Sequence, residues 1–590
     1  MKISDYVINT LAAEGVTHIF EVCGGAISHL LDSLYGRSDI RTVSMHHEMA
    51  AAIAAEGYSR ASENIGVAMA TSGPGATNLI TGIGSCYFDS IPCLFITGQV
   101  NTYEYKFSKP VRQIGFQETD IVNIVTPIVK YAVLVKDPQD TQELLEKSIF
   151  IAKTGRPGPV LIDLPLNIQR SIIEPSKIES PKQPIDEFCK PDSVNPDENL
   201  NDTIKSLIKN SFRPLILAGG GVRSSKATKE LFDFAHATGI PVVVTLMGLD
   251  SFPHDDPLYV GMIGTYGNRY ANLTIANADL IVALGTRFDT RQTGTKPETF
   301  ARAAKIIHVD IDAYELNNKI KVDFPLNIDI KDFLVSLNQN SGIFNKKNYS
   351  TWIERINYFK LKYSIDSHSE NNSIIPYGFL REVSKTLPDD AIICVDVGQN
   401  QMWAAQTIEV KKNQRFFTQG GMASIGSALP MAIGASFAKP DRLMIVITGD
   451  GGFQLNIQEL QTVYYHNLPI KIILLNNSGY GMIRQFQEQY FEGRFQSSVI
   501  GYSNPDFQKV VTAYNISSRK ISSAKEVKPA LESLFCDSKP AFLEVIIDAK
   551  FNVIPKLAVN KPVEDQEPEL SREELQSAMI IDILPERENS

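Results

Sequence analysis

Leu443-Met444-Ile445-Val446-Ile447-Thr448-Gly449-Asp450-Gly451-Gly452, followed by a second apolar run, Ile470 to Leu475, that closes on Asn476-Asn477, decides how this chain folds. Both runs have the length and β-branched content of buried strands, and helix-length sequence separates them. That is a βαβ unit with a carboxylate at the C-terminal end of one strand and a carboxamide at the end of the next. Open parallel sheets bind ligands at those ends. Asp450 and Asn477 are therefore expected to converge, both offering oxygen, on a divalent cation that holds a diphosphate. Gly449, Gly451 and Gly452 would let backbone approach the phosphates. On this stretch alone, an acidic turn in some other doubly wound sheet stays open.

Working outward, the same alternation of strand-like and helical runs fills three blocks. It predicts an α/β protein of three doubly wound parallel-sheet domains, in keeping with a chain of 590 residues, too long for one core. The first block covers 1–170, with strands expected at Gly66–Ala70, Pro92–Gly98 and Val160–Leu164. A polar linker, 171–200, carries Pro175, Pro181, Pro184, Pro191 and Pro196. The second block, 201–340, has strand candidates Pro214–Ala218, Pro241–Thr245, Leu280–Leu284 and Lys305–Val309. An Asn/Lys/Ser-rich stretch opens a second linker, 341–374. The third block, 375–550, holds Ala391–Val395, Leu443–Ile447, Lys471–Leu475 and Ala541–Ile547. A charged tail, 551–590, contains an apolar cluster from Met579 to Leu584 that is expected to dock on the body, and its last few residues are expected to be loose.

Composition is that of an ordinary globular protein, 43% hydrophobic and 21% charged. A net charge of −10 argues against non-specific binding of nucleic acid or an anionic membrane. No apolar run reaches the roughly 18 residues of a membrane span, and Met1 to Asp5 starts an amphipathic helix rather than a signal peptide. The cysteines at 23, 86, 93, 189, 394 and 536 show no CxxC pairing. They read as free thiols in a reducing, cytoplasmic setting, without a zinc site.

Gly449-Asp450-Gly451 followed by Asn476-Asn477 resembles the thiamine diphosphate signature, and the wider text resembles the catalytic subunit of the acetohydroxyacid (acetolactate) synthase family. The motifs involved run from residue 3 to about 555. They include His46-His47-Glu48, Glu56-Gly57-Tyr58, Thr71 to Asn78, Phe116-Gln117-Glu118, Gly398-Gln399-Asn400-Gln401-Met402-Trp403 and Gly420 to Gly426. The resemblance implies a pyrimidine-binding first domain, a central FAD or nucleotide-type domain and a diphosphate-binding third domain. It implies thiamine diphosphate and Mg²⁺, the latter on Asp450, Asn477 and the Gly479 carbonyl. Glu48 would face the cofactor's aminopyrimidine and hydrogen-bond its ring nitrogen, which requires a dry pocket. Read by itself, a Glu at a helix start is usually a surface charge that complements the helix dipole.

Carried over residue by residue, Gly24, Gly25, Pro74, Asn78, Gly398, Gln399, Asn400, Gly421, Ile425 and Met482 would contact that cofactor, with Ile425 bending it. Arg156, Gly220, Gly221, Gly285, Arg287, Asp289, Arg291 and Asp310 would contact FAD, in a structural role because carboligation transfers no net electrons. Phe116 and Gln117 would line the pyruvate pocket, Lys130 would stand at its mouth, and Arg291 would read the second substrate's carboxylate. The family's sites lie between subunits, so a homodimer or homotetramer is implied.

The chain also departs from the family. Asn400 replaces a His, Ile425 a Met and Phe486 a Trp, and Glu21-Val22-Cys23-Gly24-Gly25 replaces Gly-Tyr-Pro-Gly-Gly. Val100 to Phe116 is roughly six residues longer and rich in aromatics, which at a site changes what fits. The implied activity is decarboxylation of pyruvate and ligation of the remainder to a second carbonyl, giving 2-acetolactate when that is pyruvate. Alternatives are acetyl transfer to a nucleotide-linked keto-sugar, a flavin-dependent pyruvate oxidase and, from another class, a catalytically silent scaffold. The presence of Glu48, Asp450 and Asn477 speaks against the last.

Overall fold

Parallel pairing of short apolar strands builds three six-stranded sheets in the computed structural model, which describes residues 1–174, 198–339, 348–365 and 372–585. The first sheet contains β1 (His18–Val22), β2 (Arg41–Ser44), β3 (Gly66–Ala70), β4 (Cys93–Gln99), β5 (Tyr131–Leu134) and β6 (Val160–Pro165), in the order β2-β1-β3-β4-β6-β5. The central sheet contains β7 (Pro214–Ala218), β8 (Val242–Val244), β9 (Tyr259–Met262), β10 (Leu280–Leu284), β11 (Lys305–Asp310) and β12 (Phe324–Asn327), ordered β12-β11-β10-β7-β8-β9. The last contains β13 (Ile392–Val395), β14 (Arg415–Phe417), β15 (Met444–Gly449), β16 (Ile470–Asn476), β17 (Ser517–Ile521) and β18 (Ala541–Ile546), ordered β14-β13-β15-β16-β18-β17.

The first and last sheets share one topology, and the central sheet has the strand order of dinucleotide-binding folds. The winding reverses between β1 and β3, between β7 and β10, and between β13 and β15, and the two outer sheets turn back once more where β6 and β18 insert beside the edge strands β5 and β17. Crevices open beyond the strand C-termini at such reversals. The inner strands β3, β4, β7, β10 and β16 are buried along their whole length, because helices cover both faces of a parallel sheet.

Two helices lock the outer domains together. The Ala-rich Glu48–Ser62 helix of the first crosses Ala428–Ala438 of the last, and a Cβ at Gly57 would run into the Met431 carbonyl, one at Gly434 into the Ala54 carbonyl. The tail returns to the central domain: Leu557 N–H donates to the Thr265 carbonyl at 2.7 Å, Arg302 pairs with Glu564 at 2.6 Å, and Leu575, Ala578 and Met579 are buried there. Most of the first expected linker (175–197), the Asn/Lys/Ser-rich stretch (340–347), part of the second linker (366–371) and the chain end (586–590) lie outside the described residues. Cys86, Cys93 and Cys394 are buried free thiols, and Cys23 and Cys536 are exposed ones; Cys189 also lies outside the described residues. Among the described residues, no helix is long and apolar enough to cross a membrane.

Gly434→Ala should destabilise the protein by about 1–3 kcal/mol, as overpacking of a tight interior does. A thermal-unfolding midpoint several degrees below wild type would register it, and an unchanged midpoint would show that the helix crossing yields easily.

Candidate active site

At the β13/β15 reversal, Asp450 follows β15 and Asn477 follows β16, so the sheet itself brings them together. The carboxamide atom of Asn477 that faces the site lies 3.2 Å from Asp450 Oδ1 and 2.9 Å from the Gly479 carbonyl, while its Nδ2 donates to Gln399 Oε1 at 2.8 Å. With the carboxamide oxygen inward, three oxygens would face one another, a set that fits a small hard cation; with its nitrogen inward, the amide would instead donate to both. Tyr502 donates to Asp450 Oδ2 at 2.6 Å, and burial pushes the Asp450 carboxyl up to about 6 against that bond. Among the described residues no trio of His, Cys, Asp or Glu could hold a metal, so a cation here would depend on these mixed oxygens and on its ligand's.

The loops around this cluster hang on Asp396, which the sequence reading missed. From the end of β13 it accepts from Val397 N (2.9 Å), Gly426 N (2.8 Å), Ser427 N (3.2 Å) and Thr448 Oγ1 (2.8 Å). One buried carboxyl thus ties together the turns that carry Gly398 and Gln399, Ile425, and Gly449. Asn400 donates to the Asp396 carbonyl at 2.7 Å, and its Oδ1 would meet a Cβ at Gly449 at 3.1 Å, so it packs between the glycine turns.

The loop Gly420–Gly426 is gripped from the first domain. Asp89 accepts from the N–H groups of Gly420 (3.2 Å) and Gly421 (2.8 Å), and Arg60 bridges Asp89 (3.0 Å) to Glu56 (2.8 Å). Glu56 also accepts from Gln419 at 3.0 Å and from Ser85 at 2.9 Å. Burial raises the Glu56 carboxyl, and Arg60 pulls the other way.

The first domain gathers a second patch at its own β1/β3 reversal. Glu48, at the first position of its helix, accepts from Asn78 Nδ2 at 2.9 Å, and a Cβ at Gly75 would stand 3.4 Å from its Oε1. Pro74 opens the short helix that carries Asn78, Gly24 packs on Thr71, and Gln117 lies against Gly73 with a φ of 63°. Phe116 projects from this patch, 86% exposed. The Lys130 ammonium donates to the Ile151 carbonyl and, at 2.7 Å, to that of Thr154, capping the end of the Thr141–Lys153 helix.

A cavity of 1030 Å³ opens at the β7/β10 reversal, above the roughly 300–1,000 Å³ common for ligand sites. Its lining includes Gly220, Gly221, Gly285, Arg287, Asp289, Arg291 and Asp310, then Arg156 of the first domain and Gly398, Gly421 and Met482 of the last. Gly285, at φ +57°, comes so near Gly221 that a Cβ on it would lie 2.5 Å from the Gly221 Cα, so only bare backbone fits there. Arg156 pairs with Asp312 and Glu315, each at 2.9 Å, and burial pushes Asp310 up to about 6. The cavity lining does not include Glu48, Pro74, Asn78 or Gln117.

The long loop after Val100 is folded on Glu118, whose carboxylate accepts from Lys106 N (2.8 Å) and Ile114 N (2.6 Å). Tyr105 is tucked inward near Asp120 and Asp163, while Tyr103, Phe107, Val111 and Ile114 stay exposed. Asp163 accepts from Thr97 (2.8 Å) and Gln99 (2.9 Å), pairs with no Lys, Arg or His among the described residues, and is pushed by burial up to about 7.

Residues 1–124, 202–337 and 396–545 match the N-terminal TPP binding domain, the central domain and the C-terminal TPP binding domain of the thiamine pyrophosphate enzymes. The chain is 40% identical over 555 residues to a probable acetolactate synthase large subunit of Methanocaldococcus jannaschii, covering 93% of this chain and 92% of that one. It is 36% identical to the acetolactate synthase large subunits of Cyanidium caldarium, over 564 residues, and Lactococcus lactis, over 554. Each of these two alignments covers 94% of both chains.

Because the Asp163 carboxyl titrates higher in the fold than in the unfolded chain, its stabilising protonated form is fully present below about pH 4 and lost as pH rises through about 7. Asp163→Asn should therefore gain melting temperature relative to wild type between those limits and level off above them. A difference independent of pH would mean that the group does not titrate there.

Proposed function

Since the chain belongs to the thiamine pyrophosphate enzymes, among the acetolactate synthase large subunits, we propose that its two patches, one from each of two copies, close on a single cofactor. Bound thiamine diphosphate would supply the carbanion-stabilising chemistry by which pyruvate loses CO₂ and its two-carbon remainder joins a second carbonyl, giving 2-acetolactate when that carbonyl is pyruvate. The observation that carries this reading is the pair of ligand crevices on sheets of one topology: one holds an acidic side chain at a helix start, the other an oxygen cluster fit for a metal-bound diphosphate.

Asp450, Asn477 and the Gly479 carbonyl would hold Mg²⁺, and the turns tied by Asp396 would bound the diphosphate. Ile425, at the end of the loop held by Asp89 and Gln419, would support the cofactor's bend. Glu48 would hold a proton against the pyrimidine nitrogen, with Asn78 fixing its carboxylate. Phe116, Gln117 and the glycine turn at Gly24 and Gly25 would shape the space for a small keto acid and keep water out. Sites built between subunits, as the family resemblance implies, would make a homodimer or a homotetramer the working unit. FAD fits the central cavity by its volume, its bare-backbone floor at Gly221 and Gly285, and its arginines Arg156, Arg287 and Arg291. The free thiols fit a reducing cytoplasm.

One feature favours a second acceptor, a nucleotide-linked keto-sugar: the ordered loop after Val100, which exposes Tyr103 and Phe107 together with Lys109 and Arg112. Supplying pyruvate alone and measuring acetolactate by mass spectrometry separates the two, since a sugar ligase would make little product until the sugar nucleotide is added.

Glu48→Gln should keep its fold and cofactor affinity while losing roughly 100-fold or more in acetolactate formation, the scale of lost acid–base assistance. Turnover equal to wild type would refute the role given to Glu48.

A further inference from the structure

Glu459 is a buried carboxyl that the reaction outlined above does not use. It closes the turn Gln454–Glu459, which follows directly on the short helix Asp450–Phe453. Its side chain leaves its own domain: Oε1 accepts from the backbone N–H of His46 at 3.0 Å, in the segment that joins β2 to the Glu48–Ser62 helix. Oε2 accepts from Thr462 Oγ1 at 2.8 Å. Among the described residues no Lys, Arg or His forms an ion pair with it, although the residue is fully buried. An uncompensated carboxyl of this kind is costly to bury, and burial pushes it up to about 7.

The geometry gives this group a defined target. His46 lies two residues before Glu48, and His47 caps the helix by accepting the Met49 N–H at 3.0 Å. Holding the His46 N–H therefore fixes the entry to the helix whose first side chain is Glu48. The opposite grip, of Asp89 on Gly420 and Gly421, fixes the loop in the last domain. We propose that Glu459 is a positioning residue for Glu48: as a buried hydrogen-bond acceptor from the diphosphate-binding domain, it sets where that carboxylate presents itself. The proposal rests on the role given to Glu48 above.

Three variants in the full-length protein test it: Glu459→Ala, Glu459→Gln and Glu48→Gln. The direct readout is exchange of the thiazolium C2 proton of bound thiamine diphosphate for deuterium, followed by NMR, with cofactor affinity measured separately. Hydrogen–deuterium exchange of the backbone over residues 44–50 is recorded in cofactor-free protein. Glu459→Ala should slow C2 exchange roughly 10- to 100-fold, the scale of a misplaced catalytic group. It should also raise amide exchange over 44–50 and leave cofactor affinity within a few-fold of wild type. Glu459→Gln, which keeps an acceptor oxygen, should restore most of the rate. If Glu48→Gln slows C2 exchange but Glu459→Ala does not, the positioning role is wrong. If Glu48→Gln itself leaves C2 exchange unchanged, the reading of Glu48 falls instead. A Glu459→Gln variant as slow as Glu459→Ala, with amides over 44–50 no more labile than in wild type, would also overturn the proposal.

Discussion

The crossing of the Glu48–Ser62 and Ala428–Ala438 helices is the constraint on which the rest depends. Gly57 and Gly434 let the two backbones meet without side chains between them, which leaves little freedom in how the outer domains sit. The first helix begins at Glu48, and the second begins just after Ile425 and Gly426. One packing contact therefore sets the directions from which two parts of the proposed cofactor site point. Hydrogen bonds finish the job, from Glu459 to the turn before the first helix and from Asp89 and Glu56 to the turn before the second.

Much of this was legible in the sequence, for a physical reason. Inner strands of parallel sheets are buried on both faces and read as unbroken apolar runs, so Gly66–Ala70, Pro214–Ala218 and Leu280–Leu284 lie where the sequence puts them. Edge strands are half wet and lose that signature. β5 is only partly buried, β17 (Ser517–Ile521) is mostly exposed and β14 has three residues; none of them stands out from its surroundings. The oxygen cluster was legible because Asp450 and Asn477 follow two neighbouring strands, and a parallel register must bring them together. Asp396, Glu459 and Asp89 were not, since a carboxylate bonded to distant backbone N–H groups leaves no local pattern. Asp396 alone had a usable signal: a lone acid at the end of an apolar run, just before a glycine turn.

Two of those missed residues share an electrostatic character with Asp163. Asp396, Glu459 and Asp163 are buried carboxyls bonded to N–H and O–H donors rather than to cations, and burial raises all three. Glu56 differs in having Arg60 beside it. Such groups are costly to bury, yet each ties its own segment to another by directional bonds. Hydrophobic contact cannot do that, being indifferent to small sliding. The pattern is what an interior needs where loops must hold their places within fractions of an ångström.

The side of the central cavity lined by Tyr266, Arg291 and Met482 is organised differently, by the tail. Thr265 N–H donates to the Arg291 carbonyl and Leu557 N–H to the Thr265 carbonyl, each at 2.7 Å, so Lys556 is drawn alongside Arg291. The Arg291 guanidinium lies over the Tyr266 ring at 5.5 Å, and the Lys556 ammonium over Tyr490 at 5.4 Å. Met482, Phe486 and Tyr490 recur along the Gly481–Tyr490 helix at the spacing of one face, with the Phe486 and Tyr490 rings 4.7 Å apart. That helix starts just beyond Gly479, so its face leads from the oxygen cluster toward the two cations. If pyruvate is the second substrate, as proposed above, its carboxylate would meet aromatic surface first and the exposed Arg291 beside it, while Lys556 stays buried behind.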